Sequence, residues 1–206
     1  MSNQWDDRYS QEAYAYGEIP NLFLKEQLDK LNPGVILFPA EGEGRNAVYA
    51  ATKGWKVFAF DQSKEGRKKA MLLADKKGVH IDYLVDDYNN LPYATNQFDA
   101  IALIYAHFPS NLKSIIHKHL IPFLKPGGTV IFEAFSKSHL EYNSKNPQVG
   151  GPKDIDMLFN QKELETDFSS FDIQLMEECE IELNEGLYHN GRGSVMRFIG
   201  TKNHIL

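Results

Sequence analysis

Val35-Ile-Leu-Phe-Pro-Ala-Glu-Gly-Glu-Gly-Arg-Asn-Ala-Val-Tyr-Ala-Ala51 is the stretch whose reading decides the fold. The apolar run Val35 to Phe38 predicts a buried strand, and Pro39 and Ala40 carry the chain out of it. Gly42 and Gly44 then predict a tight turn, and Asn46 to Lys53 a helix stopped by Gly54. A strand, a glycine turn and a helix in this order let a ligand approach bare backbone amides. The next predicted strand, Trp55 to Phe60, ends at Asp61, nineteen residues beyond Gly42. A carboxylate at that distance can take the two ribose hydroxyls of an adenosine lying across the strand ends. The chain is therefore expected to bind an adenosine-containing cofactor.

Working outward, the same alternation continues. Pro20-Asn21 opens a predicted helix carrying Leu22, Phe23, Leu28 and Leu31, closed by Asn32-Pro33-Gly34. Ser63 can cap a helix to Lys77, with Gly78 as its stop. Ile81 to Val85 and Phe98 to Tyr105 predict two further strands, the second apolar throughout, as in a strand covered on both faces. Ser110 is expected to cap a helix to Leu124, before the turn Lys125-Pro-Gly-Gly128 and a fifth strand from Thr129 to Phe135. This order implies a parallel sheet with helices on both faces and right-handed crossovers.

After Phe135 the pattern changes. Residues 136–159 form a long polar segment with Gly150-Gly151-Pro152, a candidate lid or substrate loop. Asn160 and Glu163 resemble a capping box opening a helix to Phe168. Ile173 to Leu183 and Ser194 to Thr201 then alternate about the turn-rich Asn184 to Gly193, which predicts an antiparallel hairpin.

Composition bounds the function. The chain has 206 residues, 42% hydrophobic and 24% charged, enough for one domain with a real core. Net charge is −6, and Lys and Arg are scattered, so no nucleic-acid footprint is expected. The first residues lack the basic and apolar regions of a signal peptide, and no apolar run approaches a membrane span. A cytoplasmic protein without a membrane partner is the expectation. Cys179 is the single cysteine and sits among Glu177, Glu178 and Glu180, which disfavour a reactive thiolate. His117 and His119, two apart on a helix, do not face each other and are expected in solvent. No Cys/His spacing suggests a metal.

Gly42 to Ala47 also satisfies the G-x-G-x-x-A pattern of dinucleotide-binding domains. A nicotinamide-dependent oxidoreductase is thus one alternative, although the roughly seventy residues after Phe135 are few for a second half-sheet or a catalytic domain. A non-catalytic adenosine-cofactor-binding protein is the other.

Val35 to Ala51, Val57-Phe-Ala-Phe-Asp-Gln-Ser63, Asp87-Tyr-Asn-Asn-Leu-Pro92, Phe98-Asp-Ala-Ile101 and Leu124-Lys-Pro-Gly-Gly-Thr129 together resemble the ordered motifs of class I S-adenosylmethionine-dependent methyltransferases. Trp5-Asp-Asp-Arg-Tyr9 and Tyr16-Gly-Glu-Ile-Pro-Asn21 narrow this to a resemblance with the bacterial tellurite-resistance and thiopurine methyltransferase subgroup. The resemblance spans nearly the whole chain. It implies a single α/β domain over residues 1–206, a three-layer sandwich whose seven-stranded, mostly parallel Rossmann-like sheet has an antiparallel last strand. It also implies methyl transfer to a small molecule, S-adenosylhomocysteine as product, and a monomer or homodimer.

Carried onto this sequence, Asp61 resembles the ribose-binding acid, with Gln62 and Ser63 beside the adenine. Asp87, with Asp86 as competitor, matches the acid that accepts from the adenine amino group, and the Tyr88 amide meets a ring nitrogen. Ala40, Glu41, Gly42, Gly44 and Asn46 line the methionine side, as do Tyr105, Ala106 and His107 at the fourth strand end. Phe38 and Ala40 depart from the family, which usually places an acid and a glycine there. Trp5, Arg8, Tyr9, Tyr14 and Tyr16 suggest a flap over residues 1–20, as residues 136–160 suggest a lid. A hydroxyl acceptor would need a base, and His107, Glu133 and His189 are the candidates.

Overall fold

The structure, a computed structural model, describes residues 4–204. Its elements run α1 (Gln4–Tyr9), α2 (Leu22–Leu28), β1 (Val35–Pro39), α3 (Arg45–Thr52), β2 (Lys56–Asp61), α4 (Lys64–Lys77), β3 (Asp82–Val85), β4 (Phe98–Ile104), α5 (Lys113–Leu120), β5 (Leu124–Phe135), α6 (His139–Lys145), α7 (Gln161–Asp167), β6 (Phe171–Glu185) and β7 (His189–Lys202). Seven strands form one sheet in the order β3-β2-β1-β4-β5-β7-β6. The pairs among β1 to β5 are parallel, and β7 is antiparallel to both of its neighbours. This is the seven-stranded mixed sheet that the sequence implied.

Alternation along the inner strands sets the layers. Ile36 and Phe38 of β1 and Ala100, Ala102 and Ile104 of β4 face a core shared with α2, α3 and α4. Leu37, Ile101 and Leu103 face the opposite core, with Ile116 and Leu120 of α5 and Leu164 of α7. Both faces are buried, so these strands read as continuous apolar runs.

Chain order reverses between β1 and β4: β1 leads outward to β2 and β3, and β4 leads the other way to β5. Ligands of open α/β sheets bind in the crevice at that switch point, beyond the carboxyl ends of the strands. Ala40, just after β1, and Tyr105, just after β4, have φ of 52° and 51°. Left-handed backbone at non-glycine residues costs about 1–3 kcal/mol and clusters at functional sites.

Several local expectations are corrected. α3 begins at Arg45, one residue earlier than the spacing predicted. Ser110 is not a cap: α5 starts at Lys113 behind Leu112, whose side chain makes no capping bond. Leu22 is exposed, and Leu24 takes the core position in α2. His117 is fully buried, its Nδ1 2.8 Å from Asp167. Residues 136–159 are no plain loop: they form α6 and two short 3-10 turns, with Val149, Leu158 and Phe159 buried. The hairpin strands extend to Glu185 and His189, which leaves only Gly186 to Tyr188 as the turn. Ser63, Gly78 and the Asn160–Glu163 capping box sit as expected.

Candidate functional site

The glycine turn after β1 is tied to the end of β2. Asp61 accepts from the Gly42 amide at 3.0 Å and the Ser63 amide at 2.8 Å. Burial pushes its carboxyl up to about 6, against the pull of those two amides. Glu41 turns to the start of α3, where one oxygen accepts from the Asn46 and Ala47 amides at 2.9 and 2.7 Å. Burial raises it to about 7 even so. Gly44 is the left-handed cap of α3, at φ 85°, and a Cβ there would meet the Ala70 Cβ at 2.5 Å. Its smallness serves the α3–α4 contact, so a valine at 44 would strike the fold itself and not only the ligand side implied by the family resemblance.

Ser63 caps α4, accepting from the Gly66 amide and donating to Asp6 at 2.6 Å. Gln62 is exposed. Asp87 is also exposed and accepts from the Asn89 amide and side chain at 2.8 and 2.9 Å, an Asx turn. The Asp86 amide donates to the Asp61 carbonyl. Tyr88 is half-buried against the second core.

Residues 4–21 close over this crevice. Tyr9 is buried, with its hydroxyl 2.6 Å from where a Cβ on Gly42 would stand. Trp5 stacks on Tyr9, and the Arg8 guanidinium lies over the Trp5 and Tyr188 rings. The Ala15 amide donates to Glu43, which also pairs with Lys69 at 2.8 Å. Arg45 donates to the Tyr16 and Ile19 carbonyls, and the Asn21 amide to Asn46. The hairpin turn meets this segment: Leu187 donates to the Ala15 carbonyl at 2.8 Å, and Gly186 lies close enough that a Cβ would stand 2.6 Å from that oxygen. A cavity of about 20 Å³ there is lined by Tyr9, Tyr16, Gly17, Glu41, Glu43 and Arg45.

Beyond the ends of β4, β5 and β7 lies a polar and aromatic cluster. Glu133 is buried and accepts from Asn21 at 2.6 Å, Tyr105 at 3.3 Å and Arg197 at 2.7 Å. Burial raises its pKa, with Arg197 and Asn21 opposing. His107 has both ring nitrogens engaged: the Phe135 amide donates to Nε2, so Nδ1 carries the proton and donates to the Met157 carbonyl at 3.1 Å. Burial pushes His107 down to about 3. His139 is fixed likewise, between the Ser194 amide and the Gly150 carbonyl. His189 differs: Nδ1 lies 2.9 Å from Glu185, and Nε2 has no hydrogen bond among the described residues. Ala106 is buried in the second core.

Of the residues expected at the site, Glu41, Gly42, Asn46, Asp61 and Ser63 are linked by hydrogen bonds around the glycine turn and the end of β2, and Tyr105 joins Glu133 and His189 at the other end of the crevice. Gln62 and Asp87 flank it from solvent. Sequence reasoning missed Glu185, Arg45 and Arg197 as site residues. Glu185 had a legible signal, since the alternation Leu183-Asn-Glu185 continues β6. Among the described residues no group of His, Cys, Asp or Glu could hold a metal, and no helix is long and apolar enough to cross a membrane.

Residues 36–128 match the methyltransferase domain family. No curated protein matches the chain. Among solved structures, the protein from a study of the conversion of a disulfide bond into a thioacetal group during echinomycin biosynthesis aligns with TM-score 0.76 and 16% identity, over 97% of this chain and 91% of that one. TehB from Haemophilus influenzae aligns with TM-score 0.71 and 17% identity, over 97% of this chain and 66% of that one. A SAM-dependent methyltransferase from Methanosarcina mazei aligns with TM-score 0.69 and 17% identity, over 91% of this chain and all of that one, 100%. These likenesses show the fold.

Proposed function

We propose that this chain is an S-adenosylmethionine-dependent methyltransferase acting on a small molecule. The methyltransferase-domain match over residues 36–128 and the fold support methyl transfer from that donor. The observation that carries the reading is the pairing of Asp61 with the Gly42 turn at the β1–β4 switch point. Each carboxylate oxygen of Asp61 accepts one amide and keeps a second lone pair for a ribose hydroxyl.

The donor set fits the cofactor, and Tyr9 lies on the Gly42 turn where its ribose would bind, so binding requires α1 to withdraw. Asp61 would then hold the ribose, Gln62, Ser63, Asp87 and Tyr88 would flank the adenine, and Ala40, Glu41, Gly42, Asn46, Tyr105 and Ala106 would line the methionine side. Bound there, the cofactor supplies an electrophilic methyl group. The chain's own work is to align the acceptor and exclude water; Trp5, Arg8 and Tyr16 cover the site, and the segment that carries them would re-close over the bound ligands. The finer assignment to the tellurite-resistance subgroup is supported by the N-terminal aromatic motif and the likeness in fold to TehB. We place the protein in the cytoplasm.

A thermal-shift panel tests this. S-adenosylmethionine and S-adenosylhomocysteine should raise Tm, because a ligand that binds only the folded state stabilises it. NAD and NADP should not. A shift with NAD alone would overturn the assignment in favour of an oxidoreductase.

A further inference from the structure

Three buried side chains stand beside the β4–β5 end of the crevice with partners of unequal kind. His107 and Glu133 are consumed by bonds within the protein, whereas His189 presents an unbonded Nε2. Because Glu185 can only accept, the proton of the neutral ring resides on Nδ1 and the lone pair on Nε2. Glu185 does not move freely: its second attachment is the Arg45 guanidinium, 3.0 Å away, and both side chains are largely buried. Arg45 is itself anchored on the Tyr16 and Ile19 carbonyls. The result is a base, an orienting carboxylate and a clamp, joined at one carboxylate oxygen.

The walls around His189 are aromatic. Its ring lies 4.5 Å from Tyr16, 4.7 Å from Tyr105 and 5.2 Å from Phe135. Tyr105 and Phe135 belong to the sheet ends, but Tyr16 belongs to the covering segment. Tyr16 also lines the small cavity that reaches the glycine turn at Glu41 and Glu43. A phenol ring thus touches His189 on one side and the cavity on the other, its hydroxyl bound by Arg8 at 2.7 Å.

We infer that His189 is the general base for the methyl acceptor, that Glu185 and Arg45 are its positioning residues, and that the acceptor is a flat aromatic hydroxyl compound taking the place of the Tyr16 ring. This rests on the methyltransferase reading and adds the substrate class. In the reaction the acceptor oxygen gives its proton to Nε2 and an electron pair to the methyl carbon. The pair of the broken carbon–sulfur bond stays on sulfur, and the imidazolium loses its proton to water when the cover opens. Burial lowers the pKa of His189, with Glu185 opposing, so the ring is neutral and able to accept. A phenol near pKa 10 is un-ionised at neutral pH and needs such a base, whereas thiophenol and 4-nitrophenol are substantially ionised there and depend on it far less.

The test uses the full chain with radiolabelled S-adenosylmethionine and a series of phenols and thiophenols spanning acceptor pKa. His189→Gln should lose roughly 100-fold or more in kcat on unsubstituted phenol and catechol, and only a few-fold on 4-nitrophenol and thiophenol, with affinity for S-adenosylhomocysteine kept within twofold. Glu185→Gln should lose about tenfold on the same weakly acidic acceptors. Independently of turnover, the 15N imidazole spectrum of the wild-type chain should show His189 with its proton on Nδ1, and Glu185→Gln should shift it toward mixed tautomers. Equal rates on phenol with and without His189, no methylation of any phenol by a chain that binds S-adenosylhomocysteine, or a proton on Nε2 would each overturn the inference alone. A wild-type chain that does not bind S-adenosylhomocysteine would overturn the methyltransferase reading and this inference with it.

Discussion

Two sets of buried carboxylates line the same crevice and are kept there by different means. At the β1–β2 end, Glu41 and Asp61 are met mainly by backbone amides, and burial leaves their pKa values at about 7 and about 6. At the β5–β7 end, guanidinium groups reach Glu185 and Glu133. Burial raises Glu185 as well, but Arg45 and His189 outweigh it and hold it down at about 2. Most of these amides lie within six residues of the acid they meet, and the Gly42 amide lies nineteen from Asp61. The arginines come from distant elements: Arg45 lies 140 residues from Glu185, and Arg197 lies 64 from Glu133. At one end burial holds both carboxyls above the usual carboxylate range, and at the other the Arg45–Glu185 pair ties the hairpin to α3.

The comparison can be broken by substitution. The largest effect is expected at Gly44, where the amide-rich turn rests on Ala70. Gly44→Val should cost up to about 6 kcal/mol, summing a β-branched residue at positive φ and an overpacked helix contact. A thermal melt checks it, and a Tm within a degree or two of wild type would mean that α4 yields easily. Next is the clamp. Arg45→Met leaves Glu185 buried and unpaired and should destabilise by about 3–5 kcal/mol, a fall in Tm of roughly 6–20 °C. Arg45→Met/Glu185→Met should recover most of this, because the desolvated charge goes too. Equal losses in the single and double variants would show that Arg45 acts through the Tyr16 and Ile19 carbonyls instead.

The smallest effect concerns protons. Asp61 sits at about 6 without ligand, and only its ionised form accepts from two hydroxyls. Below pH 6 the carboxyl must first release a proton, so affinity for S-adenosylhomocysteine should fall about tenfold per unit as pH decreases, and level off above pH 6. Calorimetry from pH 5 to 8 checks the sign. A flat profile would mean that Asp61 stays ionised in the ligand-free crevice.

The same division explains what could be read from the chain. β1, its glycine turn, β2 and Asp61 lie within one strand–helix–strand unit and announce themselves by their order and spacing, and the Ser63 and Asn160 caps do so because each is fixed by neighbours within three residues. Ser110 misled because a serine ahead of an apolar run has the composition of a cap, while the structure begins α5 three residues later. His117 was legible in part: Lys113, Ile116, His117 and Leu120 follow helical spacing and share the buried face. Its Asp167 partner on α7 could not be read. The clamp was missed because a turn placed at Asn184 to Gly193 removed Glu185 and His189 from the strands that bring them together, although the alternation into Glu185 continued, and Arg45 comes from a distant helix.

The central claim, that an adenosine cofactor binds at Asp61 and the Gly42 turn, is tested most directly by titrating S-adenosylhomocysteine into the wild-type chain and into Asp61→Ala, with circular dichroism to confirm that both are folded. The account predicts saturable binding to the wild type and a loss of about 1.5–3 kcal/mol in the variant, ten- to a hundredfold in Kd, because a charged acceptor of two hydrogen bonds is gone. An unchanged Kd in folded Asp61→Ala would place the ligand elsewhere and contradict it.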